Sequence, residues 1–450
     1  MSATFRIKAS EAYGRRLDPH FHSPAFRMNW SRIESHMHLA MKGLCELSDE
    51  TWDKAQYFQE RFPYIEIGAI NCENGEIGGV EELMTAEAPS RAQMVVRAGD
   101  LLVSATRPTR NAIAIVPSDV EKAIASTGFL VVRGVQSTLV TPKYLFHALR
   151  MGFCTKQFNQ YSSGGNYPAI TKDDFRKIII PLPPLPEQRK IVAELDAAYA
   201  AKRAADEKAT KLLASIDDMV LSELGIAKLP KPASSLPSRI FTVPATEVLN
   251  GRLDPIAYQP MRRQFYKNVR EGTYEAVRLG EVVDVDRCQT DSLDGLTYVG
   301  LENINGSDGT YSPTGEKESI STAVLFRKGE ILFPKLRPYL NKVWLTDFDG
   351  AASTEFFPLI PTGVSAEYLI VYLRLTQIAR VMTLLMTGNT LPRVQLEDVL
   401  SLPVPVPPRS VQDRIASTAS SIRAEARKLK ADATAALDAA KRKIESRIVE

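Results

Sequence analysis

The sequence predicts a mixed α/β (α+β) fold: two similar globular domains separated by two long antiparallel α-helices that form a coiled coil, the halves related by a pseudo-two-fold internal repeat. Three observations predict it. The chain repeats itself over most of its length. Each copy alternates short strand-like runs with helical segments. Each copy then ends in a proline-rich stop followed by apolar and small residues spaced four and three apart.

At 450 residues the chain exceeds one ordinary core, so at least two domains are expected. Hydrophobic residues at 44% and charged residues at 24% fit a soluble globular protein. No apolar run approaches a membrane span, and the opening MSATFRIKAS lacks the apolar stretch of a secretory signal, so a cytoplasmic location is expected. Cys45, Cys72, Cys154 and Cys288 are scattered, which fits reduced thiols rather than a disulfide framework or zinc site. A net charge of +3 permits nucleic-acid binding without arguing for it.

The repeat is read from five pairs of segments. Arg16-Leu17-Asp18-Pro19 returns as Arg252-Leu253-Asp254-Pro255, and the run from Tyr64 to Asn71 returns from Tyr298 to Asn305. RAGDLLVSATRPTRN (97–111) matches RKGEILFPKLRPYLN (327–341), Ala125–Phe129 matches Ala352–Phe356, and PAITKDDFRKIIIPLPP (168–184) matches PRVQLEDVLSLPVPVPP (392–408). The separations drift one way, through 236, 234, 230, 227 and 224 residues. Loop insertions between fixed elements produce such a drift, and chance matches do not.

In the first copy, Tyr64–Ile70, Asp100–Val103 and Ile113–Val116 read as strands, and Pro142–Gly152 as a helix. In the second copy the strands are Tyr298–Ile304, Glu330–Phe333 and Lys342–Thr346, with a helix over Ala366–Arg380. Domain one is placed at 1–180, the first helical region at 181–225, a linker at 226–238, domain two at 239–404 and the second helical region at 405–450.

Pro181 to Pro186 end one element and start the next, with Glu187 suited to a first helical turn. Ser410 is the expected N-cap of the second long helix, with Asp413 three residues on. The seam of the first helix is Ile191, Leu195, Ala198, Lys202, Ala205, Ala209, Leu212 and Ile216. That of the second is Ile415, Ala419, Ile422, Ala426, Leu429, Ala433, Ala436 and Ala440. This is a heptad pattern of period 3.5, and its alanine content demands a partner surface. A pseudo-two-fold axis pairs Leu195 with Ala436, Lys202 with Leu429, Ala205 with Ala426, Leu212 with Ala419 and Ile216 with Ile415.

Two similar domains on a rigid rod have a fixed separation, which suits two short sequences on one face of a duplex whose turn is about 34 Å. The copies have diverged, so the half-sequences are expected to differ.

The order of variable domain, PLPPLPEQRKIVAELD helix start, variable domain and PVPPRSVQDRI helix start resembles the specificity subunit of type I restriction–modification systems. GDLLVS…RP, GEILF…KLRPYLNKV and the SSGGNYPAI/TGNTLPRV turns carry the same resemblance. It implies two target-recognition domains on double-stranded DNA and two conserved helical regions. It also implies two methyltransferase subunits that bring S-adenosylmethionine, and restriction/translocase subunits that use ATP and Mg. The second proline segment departs from the pattern, with Arg409-Ser410-Val411 where Leu185-Pro186-Glu187 stands in the first.

No catalytic site is expected on this chain. The sequence has no Asn/Asp-Pro-Pro-aromatic motif for adenine methylation, no glycine-rich methyl-donor turn and no GxxxxGK(S/T). Asp206-Glu207-Lys208 lies mid-helix and reads as solvated charge. His20, His22, His36 and His38 do not recur in the second copy and read as surface histidines, so no metal is expected. Arg-Leu-Asp-Pro reads as a turn with an internal ion pair.

The candidate DNA-reading residues are Ser104, Thr106, Arg107, Arg110 and Asn111 in copy one, and Lys335, Arg337, Tyr339, Asn341 and Lys342 in copy two. Arg and Lys suit guanine edges and phosphates, Asn suits adenine, and hydroxyls suit either. The matched Arg107 and Arg337 can instead hold structure or phosphate while their neighbours specify sequence. The second candidate surface is Ser163, Gly164, Gly165, Asn166 and Tyr167 in copy one, matched by Gly388, Asn389, Thr390 and Arg393 in copy two. Its amides can approach phosphates, or it is a plain turn. The competing function is a protein–protein scaffold carrying two adaptor domains on a coiled-coil strut.

Overall fold

A computed structural model describes residues 16, 18–54, 58, 60–120, 122–230, 240–249, 258–286, 288–313, 322–388 and 390–449. The second Arg252–Pro255 segment and Leu17 lie outside them. By contacts the chain divides into two units, Met1–Ala204 with Asp432–Glu450, and Ala205–Ala431. Each unit holds one domain together with part of each long helix.

In the first unit, α1 (Pro24–Glu34) precedes β1 (His38–Ala40), β2 (Glu46–Ser48), β3 (Arg61–Ile65), β4 (Glu81–Met84) and β5 (Ala92–Arg97). There follow β6 (Leu101–Ser104), β7 (Ile113–Ile115), β8 (Lys122–Ser126) and β9 (Phe129–Arg133). Then come α2 (Pro142–Leu149), α3 (Gly152–Tyr161), α4 (Lys172–Lys177), β10 (Ile179–Pro181) and the long α5 (Leu185–Leu224). One sheet runs β2-β9-β6-β7 and the other β4-β3-β8-β5, with a β1-β10 ribbon apart from both. Among the described residues of this unit, only β3 and β8 pair in parallel.

The second unit repeats the plan. After α6 (Ala245–Leu249) and α7 (Pro260–Arg270) come β11 (Ala276–Arg278), β12 (Val283–Val285), β13 (Gln289–Thr290), β14 (Thr297–Val299) and β15 (Ala323–Phe326). These lead to β16 (Ile331–Pro334), β17 (Trp344–Leu345), β18 (Gly350–Ser353) and β19 (Phe356–Pro361). The unit is completed by α8 (Ala366–Leu373), α9 (Thr376–Leu384), α10 (Leu396–Leu400), β20 (Pro403–Pro405) and the long α11 (Arg409–Val449). Its sheets run β12-β19-β16-β17 and β13-β15-β18-β14, with β14 parallel to β18 and a β11-β20 ribbon. The copies differ at sheet edges, where β4 flanks β3 in one and β13 flanks β15 in the other. Edges tolerate such change because only one neighbour must be satisfied.

Two expectations shorten. The strand from Tyr64 ends at Ile65 and gives way to a 3-10 turn over Ile67–Ala69; the matching strand likewise ends at Val299 before a turn over Leu301–Asn303. The helix expected over Ala366–Arg380 is two helices, with Arg374 capping the first; Arg150 does the same after α2. The breaks have a cause, because the carbonyls of Arg150 and Arg374 each accept an asparagine amide from a neighbouring loop.

Both long helices start alike despite the altered proline segment. Pro184 O accepts from the amides of Glu187 and Gln188, and Pro408 O from those of Val411 and Gln412. Gln188, fully buried, takes the Thr141 amide at 3.0 Å, and Gln412 takes the Ser365 amide at 2.8 Å. The helix thus begins at Arg409, and Ser410 lies inside its first turn rather than capping it; Arg409 pairs with Asp413 at 2.9 Å.

The helices run antiparallel within each unit. Arg447 bonds Glu187 at 3.2 Å and Glu194 at 3.0 Å while Lys441 lies over the Tyr199 ring; in the other unit Arg414 meets Glu223 at 2.6 Å. These contacts correct the expected register. Leu195 shares its core with Ile444, eight residues beyond Ala436, and Ile415 shares one with Leu224 rather than with Ile216 alone. The seam is also corrected. Ile191, Leu195, Ala209, Ile216, Ile415, Ala419 and Ala426 are buried; Ala198, Ala205, Leu212, Ile422, Leu429 and Ala433 are half-buried; Ala436 is exposed beside buried Leu437. Buried Ile415, Ala426, Leu437 and Ile448 recur every 11 residues, a repeat of 3.67 per turn instead of 3.5.

Candidate nucleic-acid interface

The ATRPTRN and KLRPYLN loops follow β6 and β16 and share an unusual backbone. Among the described residues, the only non-glycine positions with positive φ are Arg107 (49°), Asn111 (67°), Arg337 (48°) and Asn341 (53°). Each pair brackets a 3-10 turn, Pro108–Arg110 or Pro338–Leu340. A left-handed arginine costs roughly 1 kcal/mol, and such strain persists where the surroundings over-determine it.

The surroundings are visible. Arg107 N donates to Pro168 O at 2.6 Å and Arg337 N to Pro392 O at 3.0 Å, tying each loop to the glycine-bearing turn. Asn111 Nδ2 donates to Arg150 O at 3.0 Å, while Arg150 returns Nη1 bonds to the carbonyls of Asn111 and Ile113 and Nη2 bonds to those of Cys72 and Glu73. Arg374 does the same for the carbonyls of Asn341, Val343 and Gly306, with Asn341 Nδ2 donating to Arg374 O at 2.8 Å. Burial and the nearby Arg423 push the Arg374 guanidinium down to about 10. Asn111 and Asn341 thus clamp the loops and do not present amides to a ligand, which corrects their reading as adenine readers. Arg150 and Arg374 were missed; their one sequence signal is that they match at the 224-residue separation.

Other candidates are held by partners within the protein. Ser104 is buried and its Oγ donates to Thr106 O at 2.7 Å; Lys342 Nζ donates to Leu301 O at 2.7 Å. Arg393 is held by Glu355, Nε at 2.8 Å and Nη2 at 2.6 Å. Lys335 lies 4.6 Å over the Phe357 ring, and burial lowers its ammonium below the usual lysine range against the pull of Glu355.

The remaining candidates in domain one converge. Arg107 donates from Nη2 to Asn166 O at 2.8 Å and stacks 4.4 Å over Tyr167, a ring that is 69% exposed. Thr106, Arg107, Arg110 and Tyr167 line a cleft of about 750 Å³ together with Arg91, Thr127 and Gly128. Arg91 and Thr127 were not anticipated: Arg91 lies outside the repeated segments, and Thr127 lies in the repeated Ala125–Phe129 run but was not read as a site residue. Ser163 exchanges backbone bonds with Ala169, and the intervening Gly164 (φ 105°) and Gly165 are exposed. In domain two, Arg337, Tyr339, Gly388 (φ 94°) and Thr390 are exposed, and Asn389 lies outside the described residues. The cleft offers cations, hydroxyls and an aromatic face, the groups that contact phosphates and base edges.

Away from this surface, Arg16 and Asp18 form the expected ion pair at 3.6 Å, and Asp18 accepts the Phe21 amide. His22 bonds the Arg16 carbonyl at 2.5 Å, and among the described residues no group of His, Cys, Asp and Glu has the arrangement of a metal site. No helix among them is long and apolar enough to cross a membrane.

Comparison with known proteins places these features in a family. The profile described as type I restriction modification DNA specificity domain matches residues 37–211 and 271–437. The chain is 23% identical over 301 residues to the type I restriction enzyme EcoDI specificity subunit of Escherichia coli, covering 62% of each chain. It therefore spans less than two thirds of that relative's length. It is 29% identical over 119 residues to the HindI specificity subunit of Haemophilus influenzae, covering 26% of this chain and 25% of that one. A solved structure concerned with assembly and conformational transition of the type I R-M system aligns over 91% of this chain and 95% of its own, with TM-score 0.50 and 23% identity. The HsdS subunit from Thermoanaerobacter tengcongensis aligns over 91% and 94%, with TM-score 0.36 and 23% identity. With most of one copy of the repeat inside each matched segment, the chain belongs to the type I restriction modification DNA specificity domain family.

Proposed function

We propose that this chain is the sequence-reading, non-catalytic specificity subunit of a type I restriction–modification complex. Each domain reads one half of a split, asymmetric site on double-stranded DNA. The helices, about 60 Å long at 1.5 Å per residue, set the spacing between the halves and dock two methyltransferase subunits. S-adenosylmethionine, ATP and Mg belong to the methyltransferase and restriction/translocase partners, and the complex works in the cytoplasm.

The observation that carries this reading is the matched, strained Arg-Pro-x-x-Asn loop in two family domains. In domain one it borders a cleft lined by Arg91, Arg107 and Arg110. An adaptor scaffold has no need to hold an arginine left-handed at the same place in both domains.

Filter binding of the purified complex to random duplexes separates DNA reading from a scaffold role. Retention that weakens with salt supports a DNA-binding role, and no retention removes it. In the same assay Arg337→Ala weakens binding. A phosphate contact lowers the salt slope by about one unit, and a base contact relaxes one position of the site.

A further inference from the structure

Three positions change together between the domains on one conserved backbone frame. Ala105, Gly128 and Ala169 of domain one correspond to Lys335, Glu355 and Arg393 of domain two. Ala105 N donates to Gly128 O at 2.8 Å, as Lys335 N does to Glu355 O at 2.8 Å. Ile170 N donates to Ala105 O at 3.0 Å, as Val394 N does to Lys335 O at 3.0 Å. Ala169 exchanges paired backbone bonds with Ser163, and Arg393 does so with Thr387. The side chains have been replaced while the frame has not.

In domain one Gly128 lines the cleft beside Thr127, and Ala105 and Ala169 carry no long side chain. A Cβ on Gly128 would lie 2.6 Å from Ile67 Cδ1, so this domain cannot accept a long side chain there without moving Ile67. Domain two instead carries three mutually neighbouring charges. The Arg393–Glu355 pair is 40% and 24% exposed, and a pair so accessible adds little to stability. What it does is fix a planar group. Glu355 accepts from Nε and Nη2, and the Leu391 carbonyl accepts from Nη1 at 3.2 Å. Of the five guanidinium donors, one remains on each terminal nitrogen.

We infer that Arg393 is a guanine-reading side chain of domain two with no counterpart in domain one. Its two remaining donors go to guanine O6 and N7, the acceptors that a held arginine fork recognises in the major groove. Glu355 is its positioning residue, and Lys335 offsets the carboxylate charge beneath the pair. This assignment rests on the DNA-reading function proposed above.

The test is sequencing of methylated sites made by the whole reconstituted complex. Arg393→Ala, Arg393→Lys, Glu355→Gln and the triple change Lys335→Ala, Glu355→Gly, Arg393→Ala are compared with the unaltered chain. The expected result is a specified G·C pair in one half of the site whose preference falls roughly tenfold or more in Arg393→Ala and in the triple variant. Arg393→Lys, which keeps the charge and loses the fork, gives an intermediate loss, and Glu355→Gln a smaller one. The other half of the site stays unchanged throughout.

Three outcomes overturn the assignment: no G·C pair in either half of the site, an unchanged motif in Arg393→Ala, or equal relaxation of both halves. If Arg393→Ala does not assemble, Arg393→Lys carries the decision, and its unchanged motif overturns the assignment alone. A complex of the unaltered chain that yields no split motif fails at the earlier step, the DNA-reading function itself.

Discussion

Arginine 150 and asparagine 111 show how much a single polar residue is asked to do. Arg150 donates to four carbonyls from two chain segments, and its own carbonyl holds Asn111. Arg150→Ala removes those bonds from a buried site, and the cost is expected at about 3 kcal/mol, read as a lower urea midpoint. Asn111→Gly keeps the positive φ and loses the amide bond, costing about 1 kcal/mol; Asn111→Val also meets the steric barrier and costs more. Equal costs for glycine and valine would contradict the left-handed geometry. The sequence showed that Arg107 and Asn111 recur with Arg337 and Asn341. It did not show which way the amides face, because that direction follows from the sign of φ. Arg91 was invisible for a different reason, lying in a segment where the copies do not align.

A second residue-scale test concerns His147, buried against α5, where it bonds Asp196 at 3.0 Å and stacks on Tyr199. Burial pushes its imidazole below the ordinary 6.5 despite the pull of Asp196. The unfolded chain therefore takes up a proton before the folded one does. Stability is full above the ordinary histidine range and falls as pH drops through it. Thermal unfolding between pH 8 and 5 is expected to show this fall, and His147→Gln to flatten it. An equal slope in the variant would assign the effect elsewhere.

At the scale of elements, the two long helices were legible in existence, start and direction, and misread in register and period. Alanine explains the error. A four-three spacing can be continued through Ala433, Ala436 and Ala440 because alanine carries little information about which face is covered. The larger Leu437, Ile444 and Ile448 mark the buried face instead. Leu437→Ala is expected to cost about 2–4 kcal/mol and Ala436→Glu to stay within about 0.5 kcal/mol. In a variant stripped of its native cysteines, Leu195→Cys with Ile444→Cys cross-links, while Leu195→Cys with Ala436→Cys does not. The reverse pattern would restore the heptad register. The broken helices near Arg150 and Arg374 were unreadable for a related reason, since continuous apolar patterning hides a cap whose partner lies in another loop.

For the whole molecule, duplication is what made the chain readable. The drift in repeat spacing set apart two copies, and the family match at 37–211 and 271–437 falls on the same two copies. What duplication hides is the difference between copies, and there the functional asymmetry lies, in Gly128 and Ala169 against Glu355 and Arg393. The central claim is that two diverged domains on one chain read two different short sequences at a set spacing. Sequencing the methylated sites of the reconstituted complex tests it most directly. The account predicts two unlike specified segments flanking an unspecified spacer of constant length, with a modified adenine on each strand. A single continuous motif, or a spacer that varies from site to site, would contradict it.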